Sequence, residues 1–190
     1  MLQDILTYYN NLLYKTGFFE ANFDLAERVC DGNKEWYAVY HSDSQYAFSN
    51  QDFSNYRGIS YWFLNNNVQN RPQPHPQQAG KWLNNLTIPV GLVCVIPRDL
   101  IENDCSTTTF GVMQTITKAI ITSNKALKSS IGAISVEYGN QNWITDRKKI
   151  LDKQYKNVGP VDVDYLYHYF QLDFNINVAI PTDCLEDICA

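Results

Sequence analysis

From Phe170 to Ile180 the chain alternates in one register. Phe170, Leu172, Phe174, Ile176, Val178 and Ile180 are apolar, and Gln171, Asp173, Asn175 and Asn177 between them are polar, until Ala179 breaks the pattern beside Pro181. Side chains of a strand point to opposite faces with period two. This segment is therefore a strand with one face on a core and the other in water or against a polar partner. Strands of buried parallel sheets read as unbroken apolar runs, so the alternation predicts an antiparallel sheet.

At 190 residues the chain is long enough to bury one core, and no internal repeat or shift of composition divides it. A single domain over residues 1–190 is expected. Only 18% of residues are charged, against a typical quarter, and Asn, Gln, Ser and Thr supply the rest of the polar surface. Thirteen Tyr and four Trp add amphipathic area of the kind that gathers at protein contacts. A net charge of −5 argues against non-specific gripping of nucleic acid, which needs Lys and Arg to neutralise phosphates. It leaves room for a protein that surrounds DNA without holding it.

Five Cys (Cys30, Cys94, Cys105, Cys184, Cys189) are an odd number with no closely spaced pair, which predicts reduced thiols in a reducing compartment. The opening residues lack a basic run followed by an apolar stretch, so no secretion signal is expected. Val90 to Ile96, the longest apolar run, is too short to span a bilayer. A soluble, intracellular protein without a membrane partner is the expectation.

Leu2, Ile5, Leu6, Tyr9, Leu12 and Leu13 recur at helical spacing and Gly17 follows, so residues 2–15 are predicted to form an amphipathic helix. Asn22 to Val29 and Glu35 to His41 flank Asp31-Gly32-Asn33 and read as a hairpin. Gly58 to Leu64 reads as an aromatic-rich strand after a polar connection over residues 42–56. Leu86 to Ile96 reads as a buried strand in which Pro89 and Gly91 require an edge or a bulge. Thr107 to Leu127 places Phe110, Val112, Met113, Ile116, Ala119, Ile120 and Leu127 on one stripe, the main helix, with Lys118, Lys125 and Lys128 opposite. A strand over residues 134–138 and a short basic helix opening at Thr145 to Lys148 complete the pattern. The fold class is α+β, a mostly antiparallel sheet with an N-terminal helix and one main helix packed on it.

Asn65 to Gly80 is rich in Asn, Gln and Pro and nearly devoid of apolar residues, so it is expected to be an extended or polyproline-like loop. So long a loop within one domain is usually functional or disordered. As a functional segment it would be an arm lying on a neighbour, with Arg71, Pro72, Pro74 and Pro76 at the contact.

No residue pattern specifies catalysis. Cys105 and His168 form a nucleophile and base only on paper, because neither has a local signature. His168 stands among tyrosines and reads as a packed ring, and His75 as a solvated loop residue. Metal ligands at converging spacings and glycine-rich phosphate cradles are both missing from the sequence, so no cofactor and no metal are expected. Arg147 and Lys148 with Lys149, and the Lys118, Lys125 stripe, read first as solvated faces and second as contacts for phosphates or an acidic neighbour. Asp162 and Asp164 share one side of an extended segment, where they could share a cation but read first as a solvated acidic patch.

The order of elements, an N-terminal amphipathic helix, a hairpin, a long loop, a central strand and helix, and a last alternating strand, resembles the small neck proteins of tailed phages. The match is to tail-terminator and head-to-tail connector proteins. Ile134 to Tyr138, the short charged helix and Tyr167 to Ile176 also look like structural proteins of phages of the Bacteroidetes. The resemblance covers about the last third of the chain. It implies a non-catalytic virion protein, assembled in the host cytoplasm into a sixfold or twelvefold ring coaxial with the portal. Its partners would be copies of itself, the adjoining portal, connector or tail proteins, and DNA sliding through the lumen. Arg71, Pro72, Pro74, Pro76, Lys118, Lys125, Arg147 and Lys148 are then the candidate ring contacts, and Asp162 and Asp164 the candidate lumen residues. A protein-binding adaptor is the alternative, and an enzyme of another type a third.

Overall fold

Helical spacing of apolar residues at the N-terminus produces α1, Leu2–Lys15, which buries Ile5, Leu6, Tyr9 and Leu13 and ends at Thr16 and Gly17, whose N–H groups bond back to the Leu13 and Tyr14 carbonyls respectively. The structure, a computed structural model, describes residues 1–40, 46–47, 57–74, 76–102, 108–123, 133–156 and 166–181. The strands are β1 (Ala21–Leu25), β2 (Glu27–Asp31), β3 (Lys34–Tyr40), β4 (Tyr46–Ala47), β5 (Ile59–Leu64), β6 (Gln69–Pro74), β7 (Trp82–Pro97), β8 (Ala133–Ile144), β9 (Tyr155–Lys156) and β10 (Tyr167–Pro181). The remaining helices are α2 (Asp99–Glu102), α3 (Thr109–Thr122) and α4 (Arg147–Gln154).

The main sheet runs β1-β5-β7-β10-β8, with β6 also paired to β7. Every pairing in it is antiparallel except β1 with β5. The alternating segment is β10. It pairs with β7 along its whole length, from Tyr167 opposite Pro97 to Pro181 opposite Leu83, and with β8 on its other side. A smaller sheet contains β2, β3 and β4, with β9 on β3. Its β2–β3 hairpin turns at Gly32-Asn33, between Asp31 and Lys34, where Gly32 takes φ 58°, a conformation that glycine adopts without steric cost.

The even-numbered residues of β10 and β7 (Phe170 to Val178, Ile88 to Ile96) form one apolar face, which α1 and α3 cover with Ile5, Leu6, Tyr9, Leu13, Val112, Met113, Ile116 and Ile120. Thr108 caps α3 by accepting the Gly111 N–H at 3.0 Å, the expected role of a hydroxyl there. Trp62 is fully buried in this layer, and its indole N–H donates to Asn10 Oδ1 of α1 at 2.8 Å. The opposite face is apolar over part of its length only, where Phe23, Ile59, Tyr61, Phe63, Val93, Val95, Ile150 and Tyr169 cluster.

Four expectations are corrected. Asn22 to Val29 is two strands: β1 belongs to the main sheet and β2 to the small one, with the buried Ala26 between them bonding its N–H to the Trp62 carbonyl at 2.6 Å. Pro89 and Gly91 lie in a central strand. Pro89 is tolerated because β7 changes partner beside it, from β5 at Val90 to β6 at Thr87, and its carbonyl accepts Asn65 N–H at 2.9 Å on that side. Carbonyl and N–H of one strand residue point the same way, so the missing donor falls in the gap between two partners. Phe110 lies outside the buried stripe of α3, 57% exposed, with its ring against Trp143 at 4.9 Å. Lastly, the segment read as an extended loop contains a paired strand, β6.

Within that segment β6 pairs antiparallel with β7, Gln69 opposite Thr87 through Pro74 opposite Trp82. All six side chains are exposed. A strand at a sheet edge needs backbone hydrogen bonds and no apolar face, so the polar composition excluded burial without excluding pairing.

Candidate interaction surface

Beyond Gly91 the second face of the sheet changes character. Its side chains there are Asn85 and Thr87 from β7, Asn175 and Asn177 from β10, all partly exposed, and Gln69 and Arg71 from β6, exposed. None of them belongs to either apolar cluster. They sit in rows across the strands: Gln69, Thr87 and Asn177 in one, Arg71, Asn85 and Ala179 in the next. Thr87 Oγ1 donates to Asn177 Oδ1 at 2.8 Å, and Arg71 Nη2 to Gln69 Oε1 at 3.3 Å. The polar register of β10 thus continues onto two further strands and forms a polar platform rich in side-chain amides, which donate and accept, with the Thr87 hydroxyl and the Arg71 guanidinium among them and the exposed Glu137 of β8 opposite Asn175.

At the border between the apolar and polar halves, Asp173 lies opposite Gly91. Asp173 accepts a hydrogen bond from Gln171 Nε2 at 2.6 Å. Lys153 of α4 reaches the same place, bonding Asn65 Oδ1 and standing 5.1 Å from the centre of the Phe63 ring. Burial raises the Asp173 carboxyl above its ordinary range, offset in part by Gln171 and Lys153. Burial likewise lowers the Lys153 ammonium, against the pull of Asp173. The two opposite charges therefore stand at the edge of a partly dry site, where their attraction offsets only part of the desolvation cost.

The residues singled out from the sequence do not converge. Arg71, Pro72, Pro74 and Pro76 are exposed along or just past β6. Lys118 is exposed on α3, which packs on the opposite face of the sheet. Lys148 is exposed on α4, whereas Arg147 is partly buried. Its guanidinium stacks 4.9 Å from the centre of the Tyr169 ring, and Nε and Nη2 are buried without a hydrogen-bond partner, so Arg147 is no solvated contact residue. Lys125, Asp162, Asp164 and Cys105 lie outside the described residues. His168 is on β10 opposite Ile96.

Sequence reasoning did not bring Asn65, Lys153 and Asp173 together, because they come from a loop, a helix and a strand far apart in the chain. The available signal for β6 was the spacing of Pro72 and Pro74, which puts both missing donors on one side of a strand. No helix among the described residues is long and apolar enough to cross a membrane. No family model matches the chain, and no curated protein matches it either.

Proposed function

We propose that the protein is a non-catalytic structural subunit that assembles with copies of itself, as a ring in the neck of a tailed phage between portal and tail. DNA passes through the lumen of such a ring without sequence-specific contact. The supporting observation is the polar platform of the Asn85, Asn175 and Asn177 amides and the Thr87 hydroxyl, bordered by the exposed strand of Gln69 to Pro74. A ring closes through heterologous contacts, in which one surface of a subunit meets a different surface of the next. The polar platform on one side and the exposed Phe110 and Lys118 of α3 on the other supply two unlike surfaces. The few charges are consistent with a lumen that does not hold DNA by phosphate neutralisation.

Sedimentation velocity and negative-stain imaging across a concentration series test the reading. Closed rings are expected, and replacing Asn85 and Asn177 together by Arg should return the protein to monomer while leaving its circular-dichroism spectrum that of the folded wild-type chain. A wild-type chain that stays monomeric at the highest concentration, alone and with the neighbouring neck proteins present, overturns the proposal.

A further inference from the structure

Two helices hold the sheet through four buried side chains each, Ile5, Leu6, Tyr9 and Leu13 in α1 and Val112, Met113, Ile116 and Ile120 in α3. α4 buries only Ile150 and Gln154, and Ile150 is its one described member in the apolar cluster of the second sheet face. Arg147, Ile150 and Gln154 stand three and four residues apart, so they share one side of the helix. Polar atoms on that side are poorly matched. Arg147 Nε and Nη2, both ends of the Gln154 amide, and Oε1 of Gln171 on β10, against which α4 packs, are buried without a hydrogen-bond partner. In α1 the Tyr9 hydroxyl is the one such atom. Buried polar groups are nearly always satisfied, so each unmet atom favours a state in which water reaches it. Against this, α4 is held by Ile150, by Arg147 over the Tyr169 ring and Lys153 over the Phe63 ring, and by the two-residue pairing of β9 with β3 that follows it.

From this imbalance we infer that α4 is a releasable cover, which lifts from the second face of the sheet without unfolding the rest of the chain and bares Tyr169 beside the polar platform. Tyr169 is 7% exposed under the Arg147 guanidinium. Alternate residues of a strand share a side, so Tyr169, Gln171, Asp173, Asn175 and Asn177 form one row along β10. Release joins the aromatic ring to the platform as a continuous strip. That strip is a surface of the released form only, and a partner that meets it shifts the population toward release. The inference concerns the single chain and does not rest on self-assembly.

An eight-residue helix off the sheet does not keep its own hydrogen bonds, so amide exchange reports the release. Native-state hydrogen exchange of the ¹⁵N-labelled full chain at low denaturant, followed residue by residue by NMR, tests it. The amides of Ile150 to Gln154 should exchange at least about tenfold faster than the paired amides of β7 and β10, through an opening that depends little on denaturant. Ile116→Val, in the core under α3, weakens the whole fold. It should speed exchange in β7 and β10 severalfold and leave α4 unchanged. Gln154→Leu and Gln154→Met remove the unmet amide from the docked state, and each should slow exchange in α4 by about tenfold. Equal rates in α4 and β10, both raised by Ile116→Val, overturn the inference, because α4 then opens only when the whole chain does. Unchanged or faster α4 exchange in both Gln154 variants also overturns it, since the amide is then satisfied in the docked state, by an enclosed water for instance.

Discussion

The ring of Phe63 lies against the backbone of Gly91, its cross-strand partner, so closely that a Cβ on Gly91 would stand 2.3 Å from two of the ring carbons. Phe63 is fully buried, so the ring has little room to withdraw. This contact joins the apolar half of the second sheet face to its polar half, because Asp173 is the other cross-strand neighbour of Gly91. Gly91→Ala should therefore destabilise the protein by about 1–3 kcal/mol through overpacking. Urea unfolding checks the value. Phe63→Leu in the same chain should recover part of the loss, giving the non-additivity expected of residues in contact. Additive effects would mean that the ring moves aside freely.

The pairing of Trp62 with Asn10 ties α1 to the centre of the sheet. The indole N–H is buried and donates to Asn10 Oδ1 at 2.8 Å, and Asn10 Nδ2 donates on to Asp24 Oδ1 at 2.7 Å. Asn10→Leu leaves the indole donor unmet and should cost about 1–3 kcal/mol, the usual penalty for a stranded buried group. Denaturation followed by tryptophan fluorescence should show the lower midpoint. An unchanged midpoint would place the indole in contact with water.

Asp173 gives stability a pH dependence of defined sign. Its carboxyl is raised from 3.8, first by burial, so the folded chain binds this proton more tightly than the unfolded chain. Stability then falls as pH rises from 3.8 through the raised value, because the unfolded state loses its proton first. Lys153, lowered by burial from 10.5, acts at the alkaline end, where stability rises as pH climbs through the lowered value toward 10.5. Asp173→Asn keeps an acceptor for Gln171 and removes the acid-side slope. Its melting temperature should match wild type below the ordinary carboxylate range and exceed it above the raised value, and thermal melts at stepped pH show whether the two curves diverge.

Much of this architecture was legible from apolar spacing. Leu2 to Leu13 and Phe170 to Ile180 carry periods of 3.6 and 2 over enough residues that one face had to be buried, and both elements occur as read. Pro89 and Gln69 to Pro74 were misread for a shared reason. Local composition reports which side chains avoid a core, whereas strand pairing is decided by backbone groups and by what lies alongside. The gap between β5 and β6 that accommodates Pro89 is a property of the assembled sheet. The grouping of Asn65, Lys153 and Asp173, and the burial of Gln154, depend likewise on where α4 docks, and no period in the sequence encodes that.

The outer edge of β6 yields the last prediction. In an edge strand alternate residues aim their N–H groups at the partner and at solvent, and Pro72 and Pro74, two apart, share one direction. Proline is tolerated in a strand where that direction is solvent, so the outer edge presents carbonyls without donors at these positions. Such an edge resists pairing with another chain. Pro72→Thr with Pro74→Thr restores two donors on a strand of exposed polar side chains and favours extended geometry. The double variant should form larger, β-rich species at concentrations where the wild type does not, seen by light scattering and thioflavin fluorescence, with thermal unfolding of the dilute protein unchanged. If scattering stays at the wild-type level, the prolines do not guard this edge, and the twist or the neighbouring surface of β6 must be what limits its pairing.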